Sequence, residues 1–337
     1  MTVGRKTMAY TLAQSSIKEC KLLIPTIPGP ELTVSFQADW PFLLVLDTRD
    51  QHTGWALLNG PIITHGQQEQ FAELRRSGVR IAGISSYRTF PIPQAGDPLD
   101  YESLCEVWCH CFREPERFLA RTIPRALISV SDFTDYQRIS PNTARLESKE
   151  QGFDFVYAGA TEPWKRDIKN WKLAGQCIPM ICREMGFRCL VIGAPNQDFP
   201  DAAGVHFSPA LPWKVFLAKL ATARFLFVPN ELDASPRILA ESLCLNVPLI
   251  VNRKILGGWK YVNRFTGTFF DSAQNVLAAV GACLEQEAAP RDWFRSNYGP
   301  YQTGKRLLRL LKTVDQRISE ASHVWLAEQC EELVPGQ

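Results

Sequence analysis

A chain of 337 residues with 45% apolar and 21% charged side chains has the composition of a globular protein, not of a disordered one. It is too long for one ordinary core and suits two α/β domains of about 150 residues each. A formal net charge of +2 argues against broad non-specific nucleic-acid binding, which needs a concentrated basic surface, so any bound anion must be held by local design.

The polar segment Met1–Cys20 lacks the apolar core of a signal peptide. No uncharged apolar run approaches the roughly 18 residues of a transmembrane helix. The expectation is a cytoplasmic protein. Its ten scattered cysteines then read as reduced, small apolar residues. Cys105, Cys109 and Cys111 with His110 lack the two short Cys pairs of a structural zinc site, so core packing is the reading there.

In the first half, Pro41–Asp47 (PFLLVLD) predicts a strand, Gln67–Ser77 a helix and Val79–Ser85 a strand. Tyr101–Arg113 predicts a helix at its start, and Ala126–Ser131 a final strand. The polar run Ser140–Gln151 reads as an interdomain linker. Beyond it the rhythm is clearer. Phe153–Gly159 (FDFVYAG) is a short apolar run closed by glycine, as for a buried parallel strand. A helix over Ile168–Met185 and a strand over Cys189–Gly193 follow. Then come a helix over Trp213–Ala223, a strand over Phe225–Pro229, a helix over Pro236–Leu245 and a strand over Val247–Asn252. Such alternation predicts two doubly wound, Rossmann-like domains facing a cleft: residues 1–145, and residues 146–300 as the nucleotide-binding half. Residues 301–337 are assigned to a helical tail. Lys305, Arg306, Arg309 and Lys312 alternate there with leucines, and packing by the leucine face is favoured over contact with a membrane surface.

The chemistry concentrates in Val228–Asn252, VPNELDASPRILAESLCLNVPLIVN. A strand ends at Pro229, an acidic loop follows, and Ser235–Pro236 suits an N-cap and first turn. Helix-start amides and the dipole behind them favour an anion such as a diphosphate. Asp233 and Glu241 bracket that start with seven residues between them, and carboxylates accept hydrogen bonds from sugar hydroxyls. The plainer alternative is an N-cap Asp233 and a surface Glu241 paired with Arg237 one turn earlier. Upstream, Gly159 closes a strand and Lys165, Arg166 and Lys169 follow, either as a phosphate clamp or as a solvated loop.

The pattern Pro-x-x-x-Asp-x7-Glu, followed by a small-residue helix and a Val-Pro-x-Ile-Val strand, resembles the retaining GT-B glycosyltransferases of the glycogen-synthase and sucrose-phosphate-synthase kind. The resemblance spans Phe153–Val280, and reaches the first half only in the order of its elements. It implies transfer of a sugar from a nucleotide-diphosphate sugar to a hydroxyl acceptor, with retention. By the same resemblance Asp233 meets the donor sugar's hydroxyls, Glu241 the ribose, and the Ala234–Pro236 link the phosphates. Either Lys165 or Lys169 clamps the diphosphate. The chain departs from that pattern in having Asp for the first acid and Ala and Pro for loop glycines, and Pro236 has no N–H to offer.

No Asp has another Asp two positions away, so the reading is metal-independent, with no cofactor besides the donor. No P-loop or GxGxxG fingerprint is present. On the acceptor side, His110 in WCHCFRE is the candidate catalytic residue, Ser131–Asp132 after the strand ALISV stand at a comparable place, and Arg113 faces either the cleft or the solvent. A satisfied core histidine is the alternative. Asp47, Arg49 and His52 end the first strand, where a capped turn is favoured over a ligand site. A sugar-nucleotide isomerase and a non-catalytic binding module are the rival functions.

Overall fold

The computed structural model describes residues 38–93, 99–142, 152–159, 163–193, 202–318 and 323–327. The first half opens with β1 (Phe42–Leu46) and β2 (His52–Leu58), a hairpin of antiparallel strands. Helix α1 (His65–Arg76) starts with a capping box in which Thr64 and Gln67 satisfy each other's backbone amides. Strand β3 (Arg80–Ile84), the single-turn helix α2 (Tyr101–Leu104), β4 (Val107–His110) and β5 (Arg125–Leu127) complete this half. Ala126–Ser131 was expected as one strand. Instead it leaves the sheet after Leu127 and becomes a 3-10 turn over Val130–Phe133, because the Asp132 carboxylate takes up the Ser129 amide.

The second half contains β6 (Phe155–Ala158), α3 (Pro163–Ile168), α4 (Trp171–Met185), β7 (Cys189–Ile192) and β8 (Val205–Ser208). It continues with α5 (Trp213–Leu220), β9 (Phe225–Val228), α6 (Arg237–Cys244), β10 (Leu249–Asn252) and β11 (Gly267–Phe270). Helices α7 (Val276–Glu285), α8 (Pro290–Asn297) and α9 (Pro300–Lys312) follow, with a two-residue strand β12 (Trp325–Leu326).

Each half is built on a six-stranded sheet, in the order β12-β1-β2-β3-β4-β5 and β11-β10-β9-β6-β7-β8. The second sheet is parallel throughout and reverses its winding between β6 and β9. Its inner strands β10, β9, β6 and β7 are buried on both faces, which is why they read as unbroken apolar runs. Ligands of doubly wound sheets bind where the strand order reverses, at the carboxyl ends. For this sheet that means the loops after Ala158 and Val228.

In the first sheet β2 to β5 are parallel and β1 runs against them. Asp47, Arg49 and His52 therefore lie at the opposite end from the carboxyl ends of the parallel strands. The Asp47 carboxylate caps the hairpin by accepting from the Arg49 and Gln51 amides at 2.8 and 3.0 Å. Gly83 of β3 faces Trp108 of β4 so closely that a Cβ would sit 2.2 Å from the indole, which fixes the spacing of the sheet's face.

The chain's last part returns to the first sheet. Leu307, Leu308, Leu310 and Leu311 of α9 are buried with Val45, Leu57, Ile84 and Cys109. In the tail expected to be helical over residues 301–337, α9 ends at Lys312, and β12 pairs antiparallel with β1. Asp315 fastens this return, accepting from Trp55 Nε1 at 3.1 Å and pairing with Arg80 at 2.9 Å. Residues 143–151, most of the expected linker, lie outside the described residues.

Candidate active site

Three loops at the carboxyl ends of the second sheet converge on a polar cluster. After β6 and α3, Lys169 directs Nζ to the Asp233 carboxylate at 3.2 Å, and both side chains are largely buried. Asn230, just past β9, donates to the same Asp233 oxygen at 2.8 Å. Asn170 adopts the left-handed conformation (φ 49°) and caps α4 by accepting from the Leu173 amide. Its amide nitrogen donates to Glu231 Oε1 at 3.1 Å, and Asn252, the last residue of β10, donates to the same oxygen at 3.3 Å. The loops after β6, β9 and β10 are thus tied together at the point where the sheet's winding reverses.

The loop after β10 also buttresses the acidic loop through its backbone. Leu256 N donates to Glu231 O at 2.8 Å, and Gly257 N to Asp233 O at 2.9 Å. A Cβ on Gly257 would lie 1.7 Å from Ala234 O, so only glycine admits this approach. Gly258 (φ 78°) sits against Leu239 and Pro236 in the same way.

Helix α6 begins one residue later than the sequence pattern suggests. Pro236 stands at the N-cap, no side chain caps the helix, and Arg237 is the first helical residue. Ser235 turns toward the first half instead, where its Oγ accepts from the Ser131 amide at 3.1 Å. Glu241 is no surface residue. It is 5% exposed, accepts from Trp213 Nε1 at 2.9 Å, and lies 4.0 Å from Arg237 Nε. Trp213, at the start of α5, is itself 37% exposed beside it. Gly159 ends β6 with its amide on Ile192 O, next to Gly193 (φ 77°) at the end of β7. Lys165 and Arg166 lie on α3, half-buried, and the Arg166 guanidinium sits over the Trp171 ring.

The first half meets this cluster through one buried network. Lys260 Nζ lies 2.7 Å from Asp132 Oδ2 and 3.0 Å from Ser129 Oγ. Tyr261 donates its hydroxyl proton to Asp132 Oδ1, and Ser131 Oγ lies 2.9 Å from that hydroxyl. Ser235 Oγ lies 3.1 Å from Ser131 Oγ, so hydroxyls run in a chain from the acidic loop of the second half to Asp132 of the first. Burial first, then the Asp132 charge, raises the Tyr261 phenol well above its ordinary value and keeps it a donor. Trp259 Nε1 adds a bond to Cys111 O at 2.8 Å.

His110, the last residue of β4, is 7% exposed, and its Nδ1 is buried with no hydrogen-bond partner among the described residues. Burial, then the charges of Lys260 and Arg125, lower its pKa to about 4, so the ring is neutral at pH 7. Burial also pushes the adjacent Cys111 thiol up to about 12, with the Asp233 charge adding to the shift. Lys169 and Asp233 are brought together, Glu231 is held beside them through Asn170, and Ser235 of the same loop meets Ser131 in the turn after β5. Sequence reasoning did not single out Asn230, Glu231, Asn252, Trp213 or the Lys260–Tyr261 pair as site residues. For Asn230, Glu231, Asn252 and Trp213 the signal was position, since each lies within two residues of a predicted strand or helix end, whereas the Lys260–Tyr261 pair lies eight residues beyond the last predicted strand.

Among the described residues no group of three or more His, Cys, Asp or Glu side chains is placed to hold a metal ion. No helix among them is long and apolar enough to cross a membrane.

No family model matches the sequence, and no curated protein matches it either. Solved structures do match. The lipopolysaccharide outer core galactosyltransferase WaaB, in its apo form, superposes with a TM-score of 0.53 at 11% identity, covering 75% of this chain and 74% of that one. HepE from Anabaena, solved with UDP-glucose, gives 0.52 at 10% identity over 74% and 77%. Sucrose-phosphate synthase from Thermosynechococcus elongatus gives 0.51 at 12% identity over 74% and 71%. The chain has the GT-B fold of glycosyltransferases: two Rossmann-like sheets with their helices.

Proposed function

We propose that the protein transfers a glycosyl group from a nucleoside-diphosphate sugar to a hydroxyl acceptor, in the cytosol, with retention and without a bound metal. The observation that supports this reading best is the Lys169–Asp233 pair at the winding reversal of the second sheet, on a GT-B fold. A cation and a carboxylate side by side suit a ligand that is anionic at one end and hydroxylated at the other. Lys169 is the proposed clamp on the diphosphate, aided by Lys165 and by the start of α6, whose dipole favours an anion. Asp233 takes the donor sugar's hydroxyls, with Gly159 leaving room above β6. Glu241 takes the ribose, with Arg237 beside it and Trp213 offering an exposed aromatic face.

His110 is proposed to meet the sugar at the reacting carbon. Its unpartnered, buried Nδ1 is a polar atom whose desolvation is costly, and a sugar hydroxyl would satisfy it. A neutral ring with a pKa of about 4 is a poor general base at pH 7, so its part is orientation, not proton abstraction. Rate enhancement would come from positioning and from charge stabilisation of the departing diphosphate. The absence of an Asp-x-Asp pattern supports a site that neutralises the diphosphate with Lys and Arg alone.

A second reading is a non-catalytic nucleotide-sugar-binding module. It is favoured by the fact that Asp233 and Glu241 already hold hydrogen bonds from Lys169, Asn230 and Trp213. One experiment addresses both. The full chain is incubated with UDP-, GDP-, ADP- and TDP-sugars in the presence of EDTA, and free nucleoside diphosphate is measured with thermal shift alongside. Turnover with one donor in chelator supports the proposal. Stabilisation without turnover supports the module, and neither effect with any donor overturns both.

A further inference from the structure

Arg113 follows β4 in the first half, yet its guanidinium lies over two rings of the second half: Trp259 at 5.2 Å and Phe269 at 5.5 Å from the ring centres. Arg253, directly after β10, covers Phe269 at 5.0 Å. Two guanidinium groups therefore share one aromatic platform. Like charges are expected to separate unless an anion is meant to lie between or beside them. Arg253 has a carboxylate, Asp271, at 2.7 Å. That carboxylate is already divided, since its other oxygen accepts from Asn275 Nδ2 at 2.9 Å. Arg113 has no ion pair or hydrogen bond among the described residues, and it is exposed. Lys254 is exposed next to Arg253, close enough to act on the Asp271 charge.

The place matters as much as the charge. Arg113, Arg253 and Asp271 all stand at carboxyl ends of their strands, the ends at which both sheets present their loops. Arg253 adjoins Asn252, which donates to Glu231, and Trp259 follows the two glycines that hold the Asp233 loop. The platform is thus continuous with the proposed donor site, on its β10–β11 side and away from the Lys169 clamp. Burial and the Arg253 charge both lower the Arg113 pKa, the electrostatic counterpart of two cations held together.

We propose that Arg113 and Arg253, with Lys254, form an anion subsite that takes a phosphomonoester carried by the acceptor. Three cations against one carboxylate leave two positive charges uncompensated, which a phosphate dianion matches better than a carboxylate does. Guanidinium groups bind phosphate oxygens in pairs of parallel hydrogen bonds, and a stacked guanidinium keeps its edge N–H groups free for this. The inference rests on the glycosyl-transfer reading only for the word acceptor. The anion subsite itself does not depend on it.

The test is titration calorimetry of the full chain with inorganic phosphate and with acetate, each at constant ionic strength, with and without a saturating nucleoside diphosphate. The variants are Arg113→Met and Arg253→Met, which keep the apolar cover of the rings, and Arg113→Lys. Saturable phosphate binding that persists with nucleotide present, weakens about tenfold or more in each Met variant and is partly restored by Arg113→Lys is the expected result. Nucleotide affinity stays unchanged in Arg113→Met, and circular dichroism checks the fold of each variant. Phosphate binding equal to wild type in Arg113→Met and Arg253→Met overturns the subsite, as does acetate binding more tightly than phosphate. A chain that binds phosphate through Arg113 but binds no nucleotide refutes the proposed function and leaves this subsite standing.

Discussion

Lys260 and Asp132 form an ion pair at 2.7 Å with side chains 4% and 0% exposed, and they come from opposite halves of the molecule. Asp132 sits at the centre of the junction. Its backbone oxygen accepts from Gly299 N at 2.8 Å and from Thr303 Oγ1 at 2.9 Å, at the start of α9. The pair thus joins the loop after β10, the turn after β5 and the returning helix. Each charge depends on the other for its solvation, because water is excluded from both.

Lys260→Met is therefore expected to destabilise the protein by about 3–5 kcal/mol, the cost of leaving a buried carboxylate without its cation. Urea denaturation measures it. Adding Asp132→Leu to Lys260→Met removes the stranded charge and should recover part of the loss. A double variant no more stable than Lys260→Met would show that the junction depends on hydrogen bonds from Asp132 and not on charge pairing.

Lys169→Ala should weaken a nucleoside diphosphate by about 1.5–3 kcal/mol, or roughly 10- to 150-fold, while leaving the bare nucleoside almost unaffected. Lys165→Ala should have a smaller effect, since Lys169 is the one joined to Asp233. Isothermal titration with both ligands decides between them. Equal affinities for wild type and both variants would place the donor elsewhere.

The pH dependence of stability contains a contribution from His110. Its pKa is about 4 in the folded chain against 6.5 when unfolded, so at intermediate pH the unfolded state binds the extra proton. Stability from this residue is full above pH 6.5, is lost as pH falls toward 4, and changes no further below that. The gap corresponds to about 3 kcal/mol. The stability difference between wild type and His110→Gln should follow this profile in urea titrations between pH 7 and 4. A difference independent of pH would mean that the ring titrates normally.

Gly257→Ala should damage both stability and nucleotide binding. The new methyl would meet Ala234 O at 1.7 Å, forcing apart the two loops that share the Gly257 N–Asp233 O bond. A loss of about 2 kcal/mol or more in thermal unfolding is expected, together with weaker nucleotide affinity. Gly281→Ala in α7 is the control. A Cβ there meets nothing within 4 Å, and removing a helical glycine stabilises by about 0.5–1 kcal/mol.

The second half was legible because its physics is local. FVYA, CLVI, FLFV and LIVN are apolar on both faces, each is followed by turn residues, and the intervening helices keep a helical period. Asp233 could likewise be placed in the loop after a strand, and Glu241 inside the helix that follows, from spacing alone. Less regular pieces did not show themselves. Strand β2 (HTGWALL) carries a glycine at φ 81°, β8 (VHFS) is only partly buried at the sheet's edge, and β12 exists only because β1 offers it a free edge. The direction of β1 was equally invisible. An antiparallel strand has the same apolar run as a parallel one, yet its reversal moves Asp47 and His52 away from the site. Spacing could not show that Lys169 would pair with Asp233, 64 residues further along the chain. Nor could it pair Lys260 with Asp132 across 128 residues, or lay Arg113 on Phe269. Sequence determines each residue's local backbone preference and burial, but contacts between distant loops depend on how two sheets are set against each other, and only the folded chain decides that.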